Sequence, residues 1–134
     1  MKIFIDTNIL ISAALFPNSV PARAFNKATS YPNNGIICEK NINELIKTFY
    51  KKFPNRFTDL ESLLRKIMFY VEIVSVPIDS HSSEEKIRDV KDRPLLRAAI
   101  KYGADYFLTG DKDFLESDVQ NPKIITASDF LEIG

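Results

Sequence analysis

The segment KIFIDTNIL, residues 2–10, most constrains what this chain can fold into. Its first residues form a short apolar run that is typical of a buried strand. Asp6, Thr7 and Asn8 follow directly, and a helical apolar pattern begins at Ile9. A strand that ends in a carboxylate before a helix places that carboxylate at the carboxyl edge of a sheet, where open α/β folds bind ligands. Taken alone, the segment is explained equally well by a helix cap at Asp6 or Asn8.

Strand-like and helix-like segments alternate along the rest of the chain. Because this alternation is typical of parallel sheets covered by helices, we expect a three-layer α/β/α fold with a five-stranded parallel sheet. The length predicts a single domain over residues 1–134. The predicted strands are residues 2–5, 35–38, 71–76, 105–109 and 123–126, and the predicted helices begin near residues 9, 22, 39, 58, 92 and 126.

Three of the predicted helices begin with capping signals. Thr58 and Glu61 have the spacing of a capping box, and Thr126 and Asp129 resemble a second capping pair. Asp92 stands at the N-cap position of the helix that precedes the fourth strand, with a proline in the first turn and Gly103 as the predicted C-terminal stop. Asp92 therefore has a structural interpretation as well as a functional one.

Composition argues against several classes of protein. Acidic and basic residues number 18 each, which argues against a dedicated basic nucleic-acid binder but not against an acidic site that meets phosphates through metal ions. No apolar run is long enough to span a membrane and no leader precedes the first strand, so we expect a cytoplasmic protein. We expect Cys38, the single cysteine, to be buried and His81, the single histidine, to be a solvated loop residue.

Acidic side chains converge on one edge of the predicted sheet. Asp6 follows the first strand, Asp111 and Asp113 follow the fourth, and Asp92 begins the helix before the fourth strand, which starts at that same edge. Crowded carboxylates repel one another unless a cation neutralises them. Hard oxygen ligands suit Mg²⁺ or Mn²⁺, and such ions suit phosphodiester hydrolysis. Each acid also has a purely structural explanation, as a helix cap or as a residue that favours a turn.

The chain resembles the PIN-domain family of metal-dependent ribonucleases, in particular the VapC-like toxins of toxin–antitoxin pairs. The resemblance rests on FIDTNIL at 4–10, NELIKTF at 43–49, KDRPLLRAA at 91–99 and LTGDKDF at 108–114. It implies a homodimeric endoribonuclease that uses Mg²⁺ or Mn²⁺ to activate water against RNA and is held in check by a cognate antitoxin. It also implies that Asp6, Glu44, Asp92 and Asp111 are the catalytic and metal-binding residues, supported by Thr7, Asn8, Asp89, Thr109 and Asp113.

Some of these assignments stay open at the level of sequence. Asp89 competes with Asp92 for one position, and Asp111 and Asp113 can share or exchange roles. On a helical wheel, Glu44 lies nearly opposite the apolar stripe of its helix, so the wheel indicates a surface residue and only the resemblance makes it a ligand. The apolar stripe consists of Ile42, Leu45, Ile46, Phe49 and Phe53.

Basic residues beside the predicted site are candidates for contacts with RNA phosphates. An ordinary polar face with salt bridges explains the same residues without RNA. The candidates are Lys40, Lys47 and Lys51 on the Glu44 side of its helix, and Arg93 and Arg97 behind Asp92.

Other functions are compatible with acids at a sheet edge. They are a PIN nuclease of RNA maturation or decay, a non-catalytic module that binds Mg²⁺ or RNA, and a phosphate-transferring domain. Receiver-like phosphoacceptors usually place paired acids after an early strand, and haloacid-dehalogenase-type phosphatases have a second aspartate two residues after the first. Here the first acid is single and position 8 is asparagine, so these two rivals fit the residues less well.

Overall fold

A computed structural model describes residues 1–134 and contains five strands and seven α-helices in alternation. The strands are β1 (Lys2–Ile5), β2 (Asn34–Cys38), β3 (Val71–Val74), β4 (Tyr106–Leu108) and β5 (Lys123–Ile125). The helices are α1 (Thr7–Leu15), α2 (Val20–Ala28), α3 (Glu39–Lys52), α4 (Phe57–Tyr70), α5 (Arg93–Lys101), α6 (Lys112–Leu115) and α7 (Ala127–Glu132). All strand pairs are parallel, in the order β3–β2–β1–β4–β5.

Helices cover both faces of this sheet, because successive residues of each strand point to opposite sides. Ile3 and Ile5 of β1 pack into one apolar core with α1, α2, α3, α4 and α7. Phe4 packs into a second core with α5 and α6, where its ring stacks on Phe107, which in turn stacks on Phe114 of α6. The predicted three-layer α/β/α fold with a five-stranded parallel sheet is therefore confirmed.

The central position of β1 determines which chain segments meet at the carboxyl edge of the sheet. β1 pairs with β2 on one side and with β4 on the other. Just beyond β1, the backbone N–H of Asp6 donates to the carbonyl of Leu108 at 2.9 Å. The residues that follow β1 and β4 are thus neighbours, although about 100 residues separate them in the chain.

The ends of several elements differ from the sequence prediction. Helix α1 begins at Thr7 instead of Ile9, and β3 ends at Val74, two residues early. The capping box predicted at Thr58 is wrong: α4 begins at Phe57 with Arg56 as its N-cap residue. Arg56, two residues before the predicted cap, donates to the carbonyl of Leu15 in α1 at 3.1 Å and to the carboxylate of Asp59 in the first turn of α4.

Other local predictions are confirmed. The hydroxyl of Thr126 accepts the N–H of Asp129 at 3.1 Å and caps α7. Gly103 has a φ of +72° just after α5, a conformation that favours glycine and ends the helix. Cys38 is fully buried and His81 is exposed.

The segment between β3 and α5, in which the predicted loop residue His81 lies, also has regular structure. It contains two short 3₁₀ turns, Ser82–Lys86 and Val90–Asp92. Glu84 of the first turn is buried and forms an ion pair with Arg97 of α5 at 2.9 Å. None of the helices combines the length and the apolar character that crossing a lipid bilayer requires.

Candidate active site

Asp6 occupies the centre of the carboxyl edge of the sheet and is only 5% exposed. Its Oδ1 atom accepts the backbone N–H of Thr7 at 2.7 Å, so Asp6 does cap α1. Its Oδ2 atom accepts the hydroxyl of Thr109 at 2.6 Å, which ties it to the end of β4. The capping interpretation and the edge interpretation of Asp6 are therefore both correct.

The environment of Asp6 disfavours its charged form. Burial, assisted by the negative charges of Asp92 and Asp111, raises the pKa of Asp6 from 3.8 to about 7, although the bonds from Thr109 and Thr7 oppose the shift. No lysine, arginine or histidine nitrogen lies within 4.0 Å of a carboxylate oxygen of Asp6, Asp92 or Asp111. The centre of the edge is an uncompensated negative site.

Asp92 is the N-cap residue of α5, as the sequence predicts, but its carboxylate accepts no hydrogen bond from the helix end. The local capping role belongs to Asp89, which accepts the N–H of Lys91 at 3.0 Å. Burial, followed by the charges of Asp89, Asp111, Glu44 and Asp113, raises the pKa of Asp92 to about 6. The carboxylate of Asp92 is therefore held among other acids without a protein donor from α5.

Asp111 and Asp113 follow β4 and begin α6. The hydroxyl of Thr109, which donates to Asp6, also accepts the N–H of Asp111 at 2.9 Å and so links the two acids. Asp111 caps α6 by accepting the N–H of Asp113 at 2.9 Å. Asn8 accepts the N–H of Gly110 at 3.4 Å, a longer contact between the same two segments.

A tighter acidic group lies beside this centre. Carboxylate oxygens of Asp89, Asp92 and Asp113 lie within 4.8 Å of one another, a spacing that one metal ion can bridge. Asp113 also contacts the guanidinium of Arg88 at 2.9 Å, so its charge is partly balanced. Asp89 and Asp113 are therefore candidate metal ligands, as Asp92 and Asp111 are.

Glu44 of α3 reaches the site through Thr7. The hydroxyl of Thr7 donates to Oε1 of Glu44 at 2.9 Å, and Nζ of Lys40 lies 3.7 Å from Oε2. Glu44 also contributes to the raised pKa of Asp92. Its carboxylate therefore faces the acidic site instead of open solvent, which the helical wheel did not indicate.

Asn41, one turn before Glu44, is a site neighbour that the sequence reasoning missed. It is fully buried and hydrogen-bonded on both sides of its amide. A signal was present, because Asn41 precedes Leu45 by four residues and Phe49 by eight and so falls on the apolar face. A polar residue at an apolar-face position has to satisfy its bonds inside the protein.

The candidate RNA-contacting residues are placed differently from one another. Lys47 and Lys51 are exposed on α3, whereas Lys40 is drawn to Glu44. Arg93 donates through Nε to the carbonyl of Ile87 at 3.0 Å. Arg97 is held by Glu84 through two bonds of 2.9 Å and by the carbonyl of Pro77 at 3.1 Å. The two arginines thus anchor the segment before α5.

The acids at this edge fit a divalent cation. Their donors are carboxylate oxygens, which are the ligands that Mg²⁺ and Mn²⁺ prefer. Burial is the main cause of the raised pKa values of Asp6 and Asp92, and no cationic side chain contacts either carboxylate to oppose it. A bound cation supplies positive charge at these groups.

Comparisons with known proteins agree with the fold. The uncharacterized protein MJ1680 of Methanocaldococcus jannaschii is 27% identical over 146 residues, covering 98% of this chain and 90% of that protein. The structure of VapBC2 from Rickettsia felis bound to a DNA fragment from their promoter superposes with a TM-score of 0.70 at 15% identity, covering 94% of this chain and 98% of that one. VapC20 of Mycobacterium tuberculosis, a sarcin-ricin loop cleaving toxin, superposes with a TM-score of 0.62 at 14% identity, covering 85% and 93%.

A family model decides the classification. The model described as PIN domain matches residues 2–113, which include every strand but β5 and all of the acids described above. The structural neighbours share the same arrangement of sheet and helices at low sequence identity. This chain belongs to the PIN domain family.

Proposed function

We propose that this protein is a metal-dependent endoribonuclease that hydrolyses RNA phosphodiester bonds. The observation that carries the proposal is the uncompensated acidic centre, where Asp6, Asp92 and Asp111 converge without a cationic side chain. A buried site with this charge is costly for stability and is the kind of place where functional residues are found. Membership of the PIN domain family supports the same conclusion.

In this proposal, Asp6, Glu44, Asp92 and Asp111 hold one or two Mg²⁺ or Mn²⁺ ions, and Asp89 and Asp113 flank them. When bound, such ions activate water and stabilise the leaving oxygen of a phosphodiester. The protein itself orients the ligands. Thr7, Asn8 and Thr109 brace the segments after β1 and β4 through the bonds described above.

Exposed lysines on α3 extend this surface. Lys47 and Lys51 lie on the helix that carries Glu44, and we propose that they contact RNA phosphates on either side of the cleaved bond. Lys40 belongs to the same proposed RNA-binding surface and also contacts Glu44. Arg97 is left out of this proposed surface, because Glu84 and Pro77 occupy all three nitrogens of its guanidinium group. Arg93 bonds to Ile87 through Nε alone and stays a proposed RNA contact.

The physiological role we propose is that of the toxin in a toxin–antitoxin pair. Support comes from the structural neighbours, one a VapBC pair bound to promoter DNA and the other a toxin that cleaves the sarcin-ricin loop. In this role residues 1–134 act as a single domain in the cytoplasm, form a homodimer and are inhibited by a cognate antitoxin protein.

The first test is cleavage of a generic single-stranded RNA by the wild type and by Asp6→Asn. We expect cleavage with Mg²⁺ or Mn²⁺, none with chelator, and none by the variant under any condition. The variant keeps the N-cap acceptor, so circular dichroism should show an unchanged fold. Asp79→Asn, which changes an exposed acid outside the site, is the matched control and should cleave like the wild type.

Full cleavage by Asp6→Asn, in a preparation free of contaminating nuclease, would contradict the mechanism. Aspartyl-phosphate formed with a small phosphodonor would favour a phosphate-transferring domain instead. The toxin role has its own test, which is induced expression in a bacterial host. Wild-type protein should arrest growth, Asp6→Asn should not, and a small protein encoded next to this chain should relieve the arrest.

A further inference from the structure

Asn41 is the most completely bonded buried polar side chain near the proposed site, and the proposed chemistry does not use it. Its side chain is fully buried. Oδ1 accepts the N–H of Cys38 at 2.9 Å and faces the Cys38 thiol at 3.3 Å. Nδ2 donates to the carbonyl of Ile5 at 3.2 Å and to the hydroxyl of Thr7 at 3.0 Å. All of its neighbours therefore determine which way the amide points.

This orientation fixes the hydroxyl of Thr7. A threonine hydroxyl has one hydrogen to donate, and Nδ2 of Asn41 approaches the oxygen as a donor. The hydrogen of Thr7 is therefore free to point only at Oε1 of Glu44, 2.9 Å away. Without Asn41, the same hydroxyl could instead donate elsewhere or turn away from Glu44.

Asn41 also connects the two chain segments that deliver acids to the site. The carbonyl of Ile5 lies directly before Asp6 at the end of β1, and Cys38 ends β2 directly before the helix of Glu44. One side chain thus holds both segments at a fixed separation. Capping of α3 explains the bond to Cys38, but it does not require the bonds to Ile5 and Thr7.

We propose that Asn41 is a positioning residue that holds Glu44, through the hydroxyl of Thr7, in the place where it ligates a divalent cation. This inference rests on the proposed function, since it concerns the metal affinity of the proposed site. It predicts that Asn41 acts on the metal only when Glu44 is present. Partners that orient metal ligands typically change metal affinity by about 10–100-fold when they are removed.

The test is the affinity for Mn²⁺, measured from the electron paramagnetic resonance signal of the free ion, without RNA and without turnover. Asn41→Leu and Thr7→Val should each weaken Mn²⁺ binding by about 10-fold. In a Glu44→Gln background, Asn41→Leu should cause no further loss. Phe49→Leu, which trims a buried side chain on the same helix, is the control for lost stability and should bind Mn²⁺ like the wild type.

Each outcome bears on the inference. Equal Mn²⁺ affinity of the wild type and Asn41→Leu overturns it, and so does an equal loss in the presence and absence of Glu44. If Asn41→Leu does not fold, as judged by circular dichroism, Thr7→Val decides by the same two comparisons, because it removes only the hydroxyl. A wild type that binds no Mn²⁺ overturns the proposed metal site as well, so the two failures are distinguishable.

Discussion

Two buried carboxylates of this protein, Asp6 and Glu84, are equally inaccessible and have opposite pKa shifts. Each is 5% exposed. The pKa of Glu84 is lowered, chiefly because Arg97 donates two hydrogen bonds of 2.9 Å to its carboxylate. The pKa of Asp6 is raised to about 7, chiefly by burial and further by neighbouring acids. The difference lies in the partner that the fold supplies.

The ionised carboxylate of Glu84 therefore stabilises the folded protein, whereas the ionised carboxylate of Asp6 destabilises it. Glu84 and Arg97 join the segment after β3 to α5, and their charges balance within the protein. Asp6 has hydroxyl and N–H donors but no cation. The carboxyl edge of the sheet therefore carries negative charge that no side chain of the protein balances, and a bound cation would balance it. The effect of this unbalanced charge can be measured as a change in the free energy of unfolding.

Breaking the balanced pair should have the largest effect on stability. Arg97→Met leaves Glu84 buried without its cation, and loss of one partner of a buried pair costs about 3–5 kcal/mol. Urea unfolding near neutral pH should show this loss, and Mn²⁺ affinity should be unchanged. Removing both charges with Arg97→Met and Glu84→Leu should recover much of the stability. A loss below about 1 kcal/mol in the single variant would show that the pair does not stabilise the fold.

Neutralising Asp6 should stabilise the protein, in contrast to the loss of stability expected for Arg97→Met. The folded protein holds the Asp6 proton more tightly than the unfolded chain does, so the stability from this group is complete below about pH 4 and is lost as pH rises through about 7. Asp6→Asn removes this loss. In chelator it should be more stable than the wild type by up to about 4 kcal/mol at about pH 8, with the gain fading toward about pH 4.

Urea unfolding across this pH range measures that gain, and Glu84→Gln is the matched comparison. The lowered pKa of Glu84 means that its stabilisation is present above about pH 4.5 and is lost as pH falls. The same acid-to-amide change should therefore destabilise the protein at neutral pH when made at Glu84. If Asp6→Asn and Glu84→Gln shift stability in the same direction at about pH 8, the contrast between the two carboxylates is wrong.

The fold was predictable because its signals are local. The apolar runs of the strands and the three- and four-residue spacing of the helices each lie within about ten residues. The start of α4 was mispredicted because its N-cap residue, Arg56, makes no side-chain cap bond and therefore carries no capping signal in the sequence. Arg56 instead contacts the carbonyl of Leu15, 41 residues away. Residues that end a strand, such as Asp6 and Asp111, could be placed at the edge from topology alone.

The remaining site residues depend on contacts that a single sequence does not encode visibly. Glu44 looked like a surface residue because its bond to Thr7 spans 37 positions. Asn41 was overlooked because its partners lie on β1 and α1 as well as at the end of β2. For Glu44, the helical wheel gave the side of the helix correctly but not what that side contacts in the folded protein.

Binding of a cation should offset the destabilisation that the ionised carboxylate of Asp6 causes at the edge of the sheet. A ligand that binds only the folded state stabilises it by about 2.7 kcal/mol at 100 times its dissociation constant. Mn²⁺ should therefore raise the melting temperature of the wild type, measured by circular dichroism, and should have little effect on Asp6→Asn. Arg97→Met should melt at a lower temperature than the wild type and should show the same shift with Mn²⁺. An equal Mn²⁺ shift in the wild type and Asp6→Asn would place the ion elsewhere.

The smallest effect on stability is expected for the exposed lysines of α3, because solvent screens their charges. Lys47→Gln should leave unfolding unchanged and weaken RNA binding by a few fold, with the dependence of log affinity on log salt reduced by about one. Fluorescence anisotropy of a labelled RNA measures both quantities, with Asp6→Asn as the parent because the proposed mechanism predicts that this variant does not cleave the RNA. The control is Lys123→Gln, which changes another exposed lysine at the start of β5 and hence at the opposite edge of the sheet. If both substitutions reduce the salt dependence alike, RNA binds through diffuse charge, and the α3 face has no special part in it.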